Sequence, residues 1–210
     1  MGGEKDIVED VYATAASAGS EQLYDKWAAD YDLDNAKRGC RLPALAAAFL
    51  ARHHLKAESG PILDAGCGTG QVGECLQVLG YDDITGLDLS AKMLESARRT
   101  GAYGKLMHAR LGDRLELPDG AFSGVLCVGS FGPGHAPPET VHEFCRIARP
   151  GAAIVFNVVE QYWKDQGFPE QFEQLNVKGT WRQLEESKPF RPYTIGERDL
   201  FCRLFVFRRL

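Results

Sequence analysis

The chain has 210 residues, 44% of them hydrophobic and 25% charged, with a formal net charge of −5 at pH 7. That length suits one α/β domain with little left for a second, and the acidic balance excludes the electrostatic footprint of a DNA- or RNA-binding surface. The six cysteines (Cys40, Cys67, Cys75, Cys127, Cys145, Cys202) contain no C-x-x-C pair and no Cys/His cluster at zinc spacing, and no apolar run is long enough to span a bilayer. Structural metal, a disulfide framework and a membrane are therefore not expected, and a reducing cytoplasmic interior is.

Residues 1–6 read as a frayed start. A first helix is expected from Ser20, a good N-cap, with Leu23, Trp27 and Tyr31 at i, i+4 and i+8. A second begins near Pro43 and runs through LPALAAAFLARHH, and Ser59-Gly60-Pro61 breaks the chain.

From there strands and helices alternate. Residues 61–65 read as a buried strand, 69–79 as a helix and 83–89 as a strand. Ser90 then opens a helix carrying Met93, Leu94 and Ala97 on one face. A short strand at 105–109 precedes GVLCVGSF (124–131), a continuous apolar run of the kind found where both sheet faces are covered. A helix at 139–148 is stopped by Pro150-Gly151, and a strand follows at 152–159. After a helix at 169–177, two strand-like segments at 180–186 and 200–207 are joined by a stretch too short for a crossover helix, which predicts an antiparallel hairpin. The basic end, Arg203 with Arg208 and Arg209, reads as a solvated terminus. The expected fold is α/β, a Rossmann-like doubly wound, mostly parallel seven-stranded sheet with an antiparallel last strand. Residues 1–57 are read as an N-terminal helical cap within the same domain, and residues 58–210 as the core.

ILDAGCGTGQVG (62–73) can be parsed two ways. From Gly68 it is G-x-G-x-x-G, the dinucleotide fingerprint. From Asp64 it is an acid followed by G-x-G-x-G, a loop suited to S-adenosylmethionine. A dinucleotide site sets a helix N-terminus against a pyrophosphate, which an acid on the preceding strand would repel. Beside an ammonium or sulfonium the same acid is favourable. Asp64 occupies that place and favours the second parse. Asp88 ends the next strand, where its carboxylate can accept from both ribose hydroxyls of an adenosine; the alternative is a capping partner for the helix after Ser90.

ILDAGCGTG, then TGLDLSAKML, LPDGAFSGVLCVGSF and FCRIARPGAAIVF, resemble the ordered motif set of class I S-adenosylmethionine-dependent methyltransferases, over the chain from about Tyr24 onward. More narrowly, YDKWAADYD (24–32), the GH of VGSFGPGHAPP and the WRQLEE…FRPY…LFVFRR tail resemble the methyltransferase-like family named for the Williams–Beuren syndrome chromosomal region. The resemblance implies S-adenosyl-L-methionine as cofactor, packed against Gly66, Gly68 and Gly70. It implies that Asp64 orients the amino acid part, Asp88 holds the ribose and Leu89 meets the adenine face. Tyr31, with Trp27 one turn earlier, would close over the cofactor or pack the cap onto the sheet. For the exocyclic amine of adenine the register admits Arg110, Leu111 or Asp113; Asp113 is preferred, with the Leu111 and Gly112 backbone. Two departures from the pattern, Ser123 after Phe122 and Ala152 after Pro150-Gly151, concern strand entry and turn geometry.

Methyl transfer from a sulfonium mainly requires a positioned nucleophile and an absence of water; a base is needed only for a poorly ionised acceptor. His135, on the loop after the fourth strand, is the candidate catalytic residue. His142 falls on a helix and reads as a surface or capping residue, and His53, His54 and His108 have no acid nearby in sequence to suggest a catalytic pair. Phe131, Tyr162 and Trp163 are candidates for an aromatic acceptor pocket, or packing. The fourth strand lacks the N-P-P-[FY] or D-P-P-[YF] ending that resembles the signature of enzymes methylating bases or glutamine. With the acidic balance, this predicts a small-molecule methyl acceptor on O, N or S, no nucleic acid and no membrane. Two other readings stay open: an NAD(P)-dependent oxidoreductase using GTGQVG, which would lack a Y-x-x-x-K pair, and a non-catalytic cofactor-binding partner subunit.

Overall fold

The computed structural model describes residues 20–54, 60–132, 135–196 and 199–210; the frayed start expected at residues 1–6, and Ser59 of the expected break, lie outside them. Helices α1 (Ser20–Trp27), α2 (Tyr31–Arg38) and α3 (Leu42–His53) come first. They are followed by β1 (Ile62–Ala65), α4 (Gln71–Val78), β2 (Ile84–Asp88), α5 (Ala91–Thr100), β3 (Lys105–His108) and β4 (Phe122–Cys127). The chain closes with α6 (Thr140–Ile147), β5 (Ala148–Val159), α7 (Glu160–Asp165), α8 (Phe168–Val177), β6 (Trp181–Glu186) and β7 (Cys202–Arg209).

The strands form a seven-stranded sheet in the order β3-β2-β1-β4-β5-β7-β6. The pairs from β3 to β5 are parallel, and β7 runs antiparallel to both β5 and β6. The final hairpin is therefore present, with β7 inserted between β5 and β6. Alternation along the strands divides the core between two faces. Ile154, Phe156 and Val158 of β5 join Phe205 and Phe207 of β7 beneath α6 and α8, while Ala153, Val155, Leu204 and Val206 face α3 and α4. The first face is aromatic: Trp181 stacks on Phe207 with ring centroids 3.7 Å apart, and Phe156 stacks on Phe205 and Phe207 at 5.8 Å. Burying each such ring contributes about 1.5–3 kcal/mol relative to exposure.

Several boundaries differ from the sequence expectation. The first helix does not run on to Tyr31: it ends at Trp27, and Tyr31 opens α2. The signals for α2 are electrostatic, with Asp32 and Asp34 in its first turn, Lys37 and Arg38 in its last, and Gly39 as a left-handed C-cap. Ser90 does cap α5, accepting from the Met93 N–H at 3.1 Å. β4 spans Phe122–Cys127 rather than 124–131, because the chain turns at Gly129 (φ +70°), whose N–H donates to Asn157 Oδ1 at 2.7 Å. β5 starts before Pro150-Gly151: Ala148 pairs with Phe122, and a register shift follows before Gly124. Ser123 at the strand entry donates to the Gly60 and Pro61 carbonyls at 2.8 and 3.2 Å, so this departure from the family pattern ties β4 to the start of β1. Among the described residues no helix is long and apolar enough to cross a membrane.

Candidate active site

Strand order reverses between β1, which leads outward to β2 and β3, and its other neighbour β4. In open α/β sheets a ligand sits in the crevice beyond the carboxyl ends of the strands at such a switch. The loop after β1 fills this place. Gly66 and Cys67 both donate to the Leu87 carbonyl, at 2.8 and 2.9 Å, which fixes the loop against β2. Its three glycines have different neighbours. A Cβ on Gly66 would lie 2.1 Å from Ser130 Oγ, and one on Gly70 would meet the α5 backbone at Ala97 Cα, 3.2 Å away. Around Gly68 (φ +53°) nothing lies within 4 Å of such a carbon, so this position faces open space.

Two joined cavities meet here. The first lies over Gly68, Asp88, Leu89, Arg110 and Leu111 and reaches His135. The second extends from Gly66 and Gly68 toward β5 and β7. Tyr24 and Tyr31 line both.

The segment YDKWAADYD covers the site, and its acids hold it there. Asp25 Oδ1 accepts from Ser90 Oγ at 2.5 Å and the Lys92 N–H at 3.2 Å, binding α1 to the start of α5. Asp32 Oδ1 accepts from Thr69 Oγ1 at 2.5 Å and Gln71 Nε2 at 2.8 Å, binding α2 to the glycine loop. Trp27 donates from Nε1 to Asp34 Oδ2 at 2.9 Å and packs edge-on to Tyr31 with centroids 4.7 Å apart. Burial of the Tyr31 hydroxyl pushes its pKa up to about 12, so it remains a neutral donor.

Three carboxylates therefore surround the loop. Asp64 is fully buried on β1; its Oδ2 accepts from the Tyr103 hydroxyl at 2.7 Å and its Oδ1 has no hydrogen-bond partner. Desolvation, opposed only in part by Tyr103, raises its pKa to about 7. Asp88 ends β2 with Oδ2 accepting from the Gly68 N–H and Oδ1 from the Ser90 N–H, both at 2.8 Å. Burial raises its pKa despite these bonds. A carboxylate has about four lone-pair sites, so Asp88 retains capacity for ribose hydroxyls. Asp32 stands at the N-terminus of α4, where a dinucleotide's pyrophosphate would have to sit. This set of acceptors repels a pyrophosphate and fits a cation with a ribose attached.

The positions singled out from sequence are distributed unevenly. Tyr31, Gly66, Gly68, Asp88, Leu89 and His135 line the first cavity, while Asp64 and Gly70 sit behind the loop and line neither. Asp113 is exposed and outside both, because Gly112 (φ +103°) turns the chain away; Arg110 and Leu111 line the cleft instead. The other histidines have partners elsewhere: His53 on Glu185, His54 on Ser123, His108 on the Leu89 carbonyl and His142 on Gln171. Of the aromatic trio only Phe131 lines one of these two cavities; Trp163, half-buried, stacks on Phe168 and Phe205 against the core. Sequence reasoning missed Tyr24, whose hydroxyl lies 2.7 Å from His135 Nε2 across a separation of 111 residues. No local signal marks such a pair.

Residues 62–151 match the family described as "Methyltransferase domain". The human Methyltransferase-like protein 27 is 33% identical over 184 residues, covering 83% of this chain and 73% of that protein. The chain belongs to the class I S-adenosylmethionine-dependent methyltransferases. Its cofactor is S-adenosylmethionine, as its family implies, and the oxidoreductase parse is set aside. This methyltransferase is also 30% identical over 140 residues to the ubiquinone biosynthesis O-methyltransferase of Alkalilimnicola ehrlichii, spanning 60% of the chain and about half, 55%, of that protein. Its fold matches that of the methyltransferase solved in complex with the Haloferax volcanii Trm112 methyltransferase activator, with a TM-score of 0.67, 18% identity, and coverage of 90% and 96% of the two chains.

Proposed function

We propose that this enzyme methylates an O, N or S atom of a small-molecule acceptor, with His135 taking the acceptor's proton through Tyr24. The observation that carries the reading is the Tyr24–His135 contact at 2.7 Å, formed by a tyrosine that lines both cavities and a histidine that lines the first. The cofactor supplies an activated methyl group on a sulfonium. The chain then has to hold the reactants in line, exclude water and accept one proton. The cap of α1 and α2 supports the exclusion of water. As a proton leaves the acceptor for the Tyr24 oxygen, the Tyr24 proton passes to Nε2, and the imidazolium returns it to solvent. His135→Gln is expected to lower kcat about 10²–10⁴-fold for a hydroxyl or amine acceptor. Equal rates in variant and parent would remove His135 from the chemistry.

In the same reading Asp88 holds the ribose, Leu89 and Leu111 flank the adenine in place of Asp113, and Tyr31 closes over the methionine part. Asp64 and Asp32 supply negative field to its charged end, Gly66 and Gly68 allow close approach, and Gly70 packs the loop onto α5. Asp88→Ala is expected to weaken S-adenosylmethionine binding by about 1–3 kcal/mol, since two charge-assisted ribose bonds are lost. Calorimetric titration checks this, and an unchanged affinity would take Asp88 out of the site.

The name of the Alkalilimnicola relative supports a small acceptor, as does the lack of an N-P-P-[FY] ending on β4. The 33% identity to the human protein, over 83% of this chain, supports the narrower Williams–Beuren-region grouping. We read residues 1–57 as a cap belonging to one domain with residues 58–210.

A further inference from the structure

The last glycine of GTGQVG has no part in the site as described above, because Gly73 lies inside α4 and lines neither cavity. It faces Tyr103, on the connection between α5 and β3. A Cβ on Gly73 would come within 2.4 Å of the Tyr103 ring, one on Gly86 of β2 within 2.9 Å and one on Gly70 within 3.2 Å. Glycines of the loop, of α4 and of β2 thus leave a seat for one aromatic ring.

The seat fixes the Tyr103 hydroxyl between two groups. It accepts from the Gly73 N–H at 3.1 Å and donates to Asp64 Oδ2 at 2.7 Å. Gly73 is the third residue of α4, so its N–H has no carbonyl one turn back and belongs to the positive end of the helix. Accepting there polarises the hydroxyl toward Asp64. Burial keeps that hydroxyl protonated, well above the ordinary tyrosine range. The other ionisable groups facing Asp64 are Asp88 on β2, which opposes its charge, and the thiols of Cys67, Cys75 and Cys127, which burial keeps neutral. Because Asp64 Oδ1 has no hydrogen-bond partner, Tyr103 is the donor that favours the ionised carboxylate.

Resting on the reading above that Asp64 supplies negative field to the cofactor's charged end, we infer that Tyr103, seated by Gly73, is a positioning residue for S-adenosylmethionine binding: it holds Asp64 as an oriented carboxylate behind the glycine loop. Tyr103→Phe keeps the ring and removes the hydroxyl. Without that donor the buried carboxyl favours its protonated form, so the pH at which affinity rises should move up from about 7 by about one unit. Calorimetric titration with S-adenosylmethionine from about pH 6 to 9 measures this in the parent, Tyr103→Phe, Asp64→Asn and the double variant. The ratio of variant to parent cancels the titration of the ligand's own α-amino group. At pH 7 Tyr103→Phe is expected to bind about fivefold more weakly than the parent, and by pH 9 within about twofold. Added to Asp64→Asn, it should change affinity less than about twofold at every pH. Gly73→Ala, whose methyl group would displace the ring, is expected to shift the profile in the same direction, and it carries the test should Tyr103→Phe fail to fold. An unshifted profile, a loss equal at every pH, or an equal loss in the Asp64→Asn background would overturn the inference alone. A profile that Asp64→Asn leaves unaltered would overturn the reading beneath it.

Discussion

Gly68→Val is expected to reduce S-adenosylmethionine binding at least 100-fold, a loss of about 2.7 kcal/mol, in a domain that still folds. Gly68 is half-buried at φ +53° and lines both cavities, and a side chain there would project into open space rather than into protein. That open space is the cleft, so a branched side chain would occupy room needed by the cofactor. Its N–H also donates to Asp88 Oδ2, so any local shift moves the carboxylate proposed to hold the ribose. Valine in the left-handed region costs on the order of 1–3 kcal/mol, which a domain of ordinary stability, about 5–15 kcal/mol, tolerates. The neighbouring glycines should respond differently. Substitution at Gly66 or Gly70 would collide with Ser130 or with the α5 backbone, and so should lower thermal stability as well as binding. Titration calorimetry with a thermal melt separates these outcomes. A folded Gly68→Val protein binding within threefold of the parent would show that the loop does not approach the cofactor.

Asp64→Asn is expected to stabilise the cofactor-free protein above pH 7 and to weaken S-adenosylmethionine binding there. The carboxyl is fully buried, and its pKa rises from an ordinary 3.8 to about 7 because desolvation outweighs the single hydrogen bond from Tyr103. A folded state with a raised pKa binds more protons than the unfolded chain between those two values. Its contribution to stability is thus fully present below about pH 4 and is lost as pH rises through about 7. The difference corresponds to roughly 4 kcal/mol at its upper limit. Asparagine preserves the acceptor for Tyr103 and removes the titration, so the variant's stability should depend less on pH between 4 and 7. Denaturant unfolding from pH 4.5 to 8.5 measures this, and parallel pH profiles in parent and variant would rule it out. The cofactor's cationic end favours the ionised form, so S-adenosylmethionine affinity in the parent should rise as pH passes through about 7. In Asp64→Asn that rise should be diminished.

The same destabilising placement makes Asp64 informative in the sequence alone. An acid in the middle of an apolar strand has no folding reason to be there, and its position ahead of a glycine-rich loop points to a positively charged ligand. The buried strands and Ser90 are legible for a related reason, since their signals are local: continuous apolar runs, and a capping hydroxyl followed by a helical face. Boundaries set by long-range contacts are harder to read. β4 stops at Cys127 because Asn157, on another strand, takes the Gly129 N–H. α2 is hidden from a search for periodicity because its markers are charges at its two ends rather than an apolar stripe.

By itself the sequence determined the doubly wound sheet, the cofactor class and the positions that shape the glycine loop and the end of β2, because each depends on residues close together in the chain. Tertiary structure alone decided the rest. It turned Asp113 out of the cleft and packed Trp163 against the aromatic core. It brought Tyr24 to His135 and Asp32 to the glycine loop. These outcomes depend on which surfaces of distant elements are pressed together once the sheet is covered, and that information is carried by packing rather than by local spacing.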